Sequence, residues 1–239
     1  FKKAIAYKPD YAEAYNNLAN TLKQLGRLDE AEASYKQAID LKPNYVDAHN
    51  NLGATLQELG RLEEAEVSCR RAIELRPEHA EVHNSLGIIL KELGKLEEAQ
   101  ASYRNAISLK SDFDEAHNNL GHTLQELGRL KEAEASCAQA IALKPDYAEA
   151  HSNLGVIFKE LGRLDKAEAS YKQAIGLKPG FALAHYNLGV TLQELGRLEE
   201  AEASYTKAIT LKADFSEALR NRGLLLLDKK EFEAALKDA

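Results

Sequence analysis

Apolar residues fall along this chain at spacings of three and four, and the spacing itself recurs. Between residues 46 and 79 one run carries Ala48, Leu52, Leu56 and Leu59, and a second carries Leu62, Ala65, Ala72, Ile73 and Leu75. Residues so placed share one face of a helix with about 3.6 residues per turn, so each run predicts an amphipathic helix. Gly60 stands between the two and recurs as Gly26, Gly94, Gly128, Gly162 and Gly196, where a helix end wants left-handed backbone. A second series, Gly53, Gly87, Gly121, Gly155, Gly189 and Gly223, lies inside the first helix of each pair. Glycine there costs about 1 kcal/mol relative to alanine, and its recurrence predicts a close approach by another helix. No alternating β-branched run predicts a strand.

The pattern returns every 34 residues without insertion or deletion, giving full repeats 12–45, 46–79, 80–113, 114–147, 148–181 and 182–215 with partial repeats 1–11 and 216–239. A fixed period of this length predicts a single stack of helix pairs held by neighbour contacts, which makes a surface rather than a pocket. Between repeats, Pro9, Pro43, Pro77, Pro145 and Pro179 are expected to stop the second helix. Asp10 with Glu13, Asn44 with Asp47, Asp112 with Glu115, Asp146 with Glu149 and Asp214 with Glu217 are then spaced as capping boxes for the next helix. A two-repeat period is superimposed. Lys23, Lys91 and Lys159 alternate with Gln57, Gln125 and Gln193, and Tyr35, Tyr103 and Tyr171 alternate with Cys69 and Cys137. It suggests growth by duplication of a 68-residue pair.

The order of residues in repeat 148–181, His151, Leu154-Gly155, Phe158, Gly162, Ala167, Tyr171, Ala174 and Pro179, resembles the tetratricopeptide repeat family, and the likeness covers the whole chain. The repeats are similar to those of O-linked N-acetylglucosamine transferase and of bacterial tetratricopeptide proteins. The resemblance implies an all-α, right-handed superhelical solenoid of antiparallel helix pairs, with first helices lining the concave side. The departures are His49, His83, His117, His151 and His185 where a large aromatic is usual, and Ser111 and Ala213 where proline is lost. Arg222 and Lys229-Lys230 depart in the last partial repeat.

If Ala14, Leu18 and Leu22 take the packing face of the first helix, then Glu13, Asn16, Asn17, Asn20 and Lys23 are left for the groove. One groove position reads Asn17, Asn51, Ser85, Asn119, Asn153, Asn187 and Asn221 through the array, and the position before it includes Asn16, Asn50, Asn84 and Asn118. Asparagine is costly in helix interiors. Its carboxamide both donates and accepts, which suits pairing with the backbone of an extended peptide. Bonding to the backbone of the neighbouring repeat is the competing reading. The row also resembles the asparagine ladder of the glycosyltransferase repeats named above. Two acid lines flank it, Glu13, Asp47, Glu81, Glu115 and Glu149 in one and Glu58, Glu92, Glu126, Glu160, Glu194 and Asp228 in the other, so a mildly negative groove is expected. The pattern breaks in repeat 182–215: Leu183, Tyr186 and Val190 are candidates for an apolar anchor.

Composition narrows the partner. A net charge of −7 argues against nucleic acid, which needs a basic stripe. No apolar run approaches the length of a membrane span. Cys69 and Cys137 sit two repeats apart, too far for a disulfide, and read as buried thiols in a reducing, cytoplasmic setting. Phe1 already lies inside a repeat, so the sequence is expected to be a fragment. The histidine ladder is spaced too widely to chelate a metal, and no phosphate loop, nucleophile triad or carboxylate pair stands out. The expectation is a non-enzymatic, cofactor-free scaffold that binds a peptide or partner helix. A substrate-targeting arm of a larger enzyme such as a glycosyltransferase is one alternative, and a self-assembling structural repeat another. Apolar ends carrying Phe1, Ile5 and Tyr7, and Phe232, Ala235 and Leu236, would favour end-to-end association, the last three on a second helix cut short.

Overall fold

A computed structural model of the chain describes the backbone of residues 2–238 and the side chains of residues 5–228. Within these bounds it contains fourteen helices and no strand. After α1 (Lys2–Tyr7) come the first helices of the repeats, α2 (Ala12–Gln24), α4 (Val46–Glu58), α6 (Ala80–Glu92), α8 (Asp114–Glu126), α10 (Ala148–Glu160) and α12 (Ala182–Glu194). The second helices are α3 (Leu28–Leu41), α5 (Leu62–Leu75), α7 (Leu96–Leu109), α9 (Leu130–Leu143), α11 (Leu164–Leu177) and α13 (Leu198–Leu211), and α14 (Ser216–Asp238) closes the order. Contacts group the chain into two compact units, Phe1–Thr123 and Leu124–Ala239. In each, a first helix packs on its own second helix, which packs on the first helix of the next repeat. First helices α2, α4 and α6 also approach one another, as do α10 and α12.

The turn inside each repeat forms as expected. Gly60 adopts φ +75°; its N–H donates to Gln57 O and the N–H of Arg61 reaches back to Leu56 O, both at 2.9 Å. These paired bonds satisfy carbonyls that the ended helix leaves open. Arg61 then grips Glu64 of the new helix through two bonds of 2.7 and 2.5 Å, and Arg27–Glu30, Arg129–Glu132 and Arg197–Glu200 repeat the fork.

The turn between repeats differs from the sequence expectation in two ways. Asp10, Asn44 and Asp146 do not cap. The residues at the helix starts are the aromatics Tyr11, Tyr45 and Tyr147, and no side chain bonds there. Glu13 and Glu149 instead bond their own backbone N–H and a lysine, Lys42 and Lys178 respectively. Nor is proline what stops the second helix. α7 and α13 end at Leu109 and Leu211 although Ser111 and Ala213 replace it. The shared feature is a lysine laid over the aromatic three residues on: Lys42 on Tyr45, Lys110 on Phe113, Lys144 on Tyr147, Lys178 on Phe181 and Lys212 on Phe215, 4.7–5.4 Å from the ring centroids. Such contacts are worth about 0.5–1 kcal/mol at exposed sites.

The last partial repeat is also corrected. Residues 216–239 were expected to turn near Lys229-Lys230, yet α14 runs unbroken from Ser216 to Asp238. The pair replaces Leu-Gly, so no glycine is present to take positive φ, and lysine favours the helix. The side chains of Phe1, Phe232, Ala235 and Leu236 lie outside those described.

Four helix pairs are packed tightly at an internal glycine, whereas α2–α3 carries Ala19 at that position and nothing lies within 4 Å of a Cβ on Gly223. A Cβ on Gly87 would stand 2.6 Å from Tyr103, on Gly155 2.6 Å from Tyr171, on Gly189 2.7 Å from Tyr205 and on Gly53 2.5 Å from the Cys69 sulfur. The alternation of ring and thiol has a packing counterpart. The repeat after Tyr35, Tyr103 and Tyr171 supplies a buried Thr55, Thr123 and Thr191, whereas the repeat after Cys69 and Cys137 supplies a buried Ile89 and Ile157. A large residue is followed by a smaller one and a small residue by a larger, which conserves core volume.

Gly87→Ala is therefore expected to lower stability by about 1–2 kcal/mol, overpacking outweighing the gain in helix propensity. Gly176→Ala, where nothing lies within 4 Å of the added Cβ, should raise it by roughly 0.5–1 kcal/mol. Urea denaturation of the two variants checks the contrast, and equal effects would refute the close-approach argument.

Candidate functional site: an amide row on the first helices

In the Phe1–Thr123 unit the row is carried by α2, α4, α6 and α8. Asn17 is exposed, and Asn51 and Asn119 are half-buried. The preceding position is different. Asn16, Asn84 and Asn118 are buried, at 5, 6 and 6% exposure, and Asn50 is half-buried with its carbonyl oxygen enclosed and unpartnered. Consecutive helical residues point about 100° apart, so the two positions do not share an open face, and the earlier one turns toward the next repeat. The Nδ2 of Asn51 donates to Asn16 Oδ1 at 3.4 Å and to Asn20 Oδ1 at 3.2 Å. Asn119 Nδ2 donates to Asn84 Oδ1 at 3.2 Å. Asn20 also accepts the Tyr35 hydroxyl at 2.5 Å. Ser85 breaks the series and bonds its own helix at Glu81 O.

In the Leu124–Ala239 unit Asn153 and Asn187 are half-buried, and Asn221 Nδ2 donates to the Tyr186 hydroxyl at 3.2 Å. That phenol takes the acceptor place held elsewhere by an asparagine. Its ring packs against Tyr205 and Phe215, with centroids at 6.0 and 5.0 Å. Tyr186 is thus a half-buried packing residue, a correction to its expected role as an open anchor; an aromatic ring at this position gains more by joining the adjacent core than by facing water. Val190 packs on the same cluster, while Leu183 remains 48% exposed. Val156 stands where Asn20 stands in the first full repeat, and the buried Tyr171 hydroxyl has no partner.

The acid lines are matched rather than open. Glu58 pairs with Lys23 at 3.1 Å and Glu194 with Lys159 at 3.3 Å, while Gln57 and Gln125 donate to Glu92 and Glu160 at 2.6 and 2.5 Å. The lysine–glutamine alternation therefore maintains contact from each repeat to the next. In the other line Lys42, Lys110 and Lys178 reach Glu13, Glu81 and Glu149 at 3.0, 3.7 and 2.7 Å. The face is less negative than the sequence suggests.

A third ladder was missed by sequence reasoning. The basic residue opening a second helix reaches an acid on the preceding second helix: Arg61 to Glu32, Lys95 to Glu66, Arg163 to Glu134 and Arg197 to Glu168, at 2.7–2.9 Å. A base and an acid recurring 29 residues apart was the available signal. Glu32, Glu66 and Glu168 also bond a base one turn on, Lys36, Arg70 and Lys172. Those bonds, with the ladder bonds, hold their carboxyls below the ordinary value of 4.5 against the opposing effect of burial.

The histidines are committed to the backbone. His49, His83, His151 and His185 bring Nε2 to the carbonyls of Pro43, Pro77, Pro145 and Pro179 at 2.8–3.1 Å, and His117 does the same to Ser111 O at 3.0 Å. The acceptor requires a proton on Nε2, and the bond ties each first helix to the turn before it. Burial pushes the Cys69 and Cys137 thiols up to about 12, which removes them as nucleophiles at neutral pH. Among the described residues no helix is long and apolar enough to cross a membrane.

Models of tetratricopeptide repeats match residues 1–33, 19–60, 46–79, 68–101, 87–128, 112–180, 152–214 and 186–239. Among solved structures the chain is similar to YrrB, described as a TPR protein with an unusual peptide-binding site. Identity is 28% over 77% of this chain and 95% of that one, with a TM-score of 0.61. The fold is shared with the APC/C hetero-tetramer Cut9-Hcn1, at 16% identity over 94% of this chain and 45% of that one, TM-score 0.84. It is also shared with pilF of Pseudomonas aeruginosa, at 18% identity over 89% and 96%, TM-score 0.77. A comparison with functionally characterised proteins returned no match.

Two outcomes are expected. Asn51→Ala removes bonds to the buried Asn16 and to Asn20 and should cost about 1–2 kcal/mol in urea unfolding, whereas Asn17→Ala, at an exposed position, should fall within about 0.5 kcal/mol of wild type. Acid should weaken the fold through the ladder. Carboxyls depressed in the folded state contribute stability above their ordinary value and lose it as pH falls through the folded value. The urea midpoint should therefore drop between about pH 5 and pH 3, and Glu66→Gln with Glu168→Gln should flatten that drop. A pH-insensitive wild-type midpoint would contradict the ladder's contribution.

Proposed function

Because the chain belongs to the tetratricopeptide repeat family, whose repeats span it, we propose that it is a non-catalytic protein-interaction scaffold that holds an extended peptide segment along the amide row of its first helices. The observation that carries this reading is the tethering of Asn51 and Asn119 through Nδ2 to the preceding repeat. With the amide nitrogen fixed, each carbonyl oxygen is held in one orientation as an acceptor. A peptide in extended conformation presents N–H donors that such oxygens can take regardless of sequence. An acceptor already immobilised loses little rotamer entropy on binding, so its bond contributes more to affinity. The peptide-binding site named for YrrB is in keeping with this use of the fold. Leu183, exposed beside the row's later members, supplies an apolar contact in the second unit.

A displayed library of random 15-residue peptides, selected on the full chain, provides ligands for the test. Combining Asn17→Ala, Asn51→Ala and Asn119→Ala should weaken selected peptides at least tenfold, about 1.4 kcal/mol, and N-methylation of alternate peptide bonds in the ligand should do the same. Affinities unchanged by both would rule out backbone reading by the amide row.

A further inference from the structure

The second-helix side of the Phe1–Thr123 unit carries a feature independent of the amide row. Over α4, helices α3 and α5 leave a cleft of about 550 Å³. Leu52 and Leu56 form its floor, and Ile39 and Val67 its walls. Val67 is 69% exposed, and the same position in the other second helices is alanine, at Ala33, Ala101, Ala135, Ala169 and Ala203.

One repeat further on, the corresponding cleft between α5 and α7 is latched. Arg70 bonds Glu66 on its own helix and Glu98 across the mouth, both at 2.8 Å. In the first cleft the matching residues are Lys36 and Glu64. Lys36 pairs within its helix to Glu32 at 2.7 Å, and Glu64 is taken by Arg61 at 2.5 Å. A guanidinium fork serves two carboxylates at once where the compact ammonium serves one, so the first cleft stays open. Its rim charge is one-sided. The cations Lys36 and Arg71 are engaged by Glu32 and Glu74, while the rim carboxylates of Asp40 and Glu63 have no hydrogen-bond or ion-pair partner among the described residues.

We propose that this cleft docks a protein segment presenting a bulky apolar side chain flanked by lysine or arginine. The apolar walls bury the side chain and the two unpaired carboxylates meet the flanking cations, a match that sets both register and rate of encounter. The site lies apart from the amide row, so the two can be occupied or lost separately.

The test uses the full chain with isotope-labelled methyl groups, titrated with a synthetic amphipathic helical peptide of leucine and lysine and with its leucine–glutamate counterpart. The basic peptide should shift the methyls of Ile39, Leu52, Leu56 and Val67, and the acidic one should bind roughly tenfold more weakly or not at all. Val67→Ala should weaken the basic peptide roughly three- to tenfold, and Lys36→Arg, which restores the latch, should do likewise. Asp40→Asn with Glu63→Gln should flatten the dependence on salt. All four substitutions are at exposed positions, so thermal melts should match wild type. Equal binding of both peptides, shifts confined to the Asn51 face, or no shift in the cleft would overturn the proposal. So would cleft shifts that appear on raising protein concentration without peptide, which would make a second copy the occupant.

Discussion

The close contact of a glycine with a ring or thiol, seen inside four of the helix pairs, is the constraint on which most of the array depends. A side chain on Gly87 would meet Tyr103, and one on Gly155 would meet Tyr171, well inside van der Waals distance. Tyr103, Tyr171 and Tyr205 are consequently sealed at 0–1% exposure, and Tyr35 is sealed equally in a repeat where Ala19 stands at the glycine position. Each sealed residue abuts the next repeat, so its size sets what that repeat must supply. This gives the two-repeat alternation a physical meaning: ring with threonine, thiol with isoleucine. The last pairing, Tyr205 with Leu225, departs from it where the array's final helix also departs from the repeat pattern.

Around that apolar seam the polar residues act mainly as ties between neighbours. The histidines hold a first helix to the preceding turn, the lysines cover the aromatic at the next helix start, and three ladders of charge or amide link one repeat to the next. Individually these exposed pairs are weak. Their value lies in direction: each fixes the neighbour's rotation, and an apolar seam alone would tolerate sliding. The amide row belongs to this set. Its tethering to the preceding repeat and its proposed service to a ligand are compatible, because one end of each carboxamide performs each task.

Two surfaces then differ in kind. The amide row, in the role proposed for it, offers directional acceptors to a ligand read through its backbone. The open cleft beside Val67 offers shape and charge and suits a ligand read through one side chain.

The sequence by itself determined the helices, their pairing, the left-handed glycine at each internal turn and the close approach at Gly53, Gly87, Gly155 and Gly189, though not at Gly223, where nothing stands within 4 Å of an added Cβ. All of these follow from local backbone geometry and apolar spacing. It also placed Asn17, Asn51 and Asn119 in one unit, and Asn153, Asn187 and Asn221 in the other, at one position of the repeat. Only the tertiary structure decided which way the polar positions face and whom they bond. Asn16 and Asn84 look like their neighbours in sequence yet are buried. Acids of the Glu58 line find lysine or glutamine partners in the adjacent repeat, those of the Glu13 line find lysines within their own repeat, and Tyr186 joins a core made with Tyr205 and Phe215. The caps and the last turn were likewise tertiary outcomes. Asp10 and Asn44 had the right chemistry for a cap, but the chain enters α2 and α4 through an aromatic held under a lysine, and without a glycine at Lys229-Lys230 the final helix simply continues. Helix periodicity is set by each residue's own backbone, whereas the partner of a side chain is set by a repeat about 30 residues away; a single sequence encodes the first directly and the second only through packing.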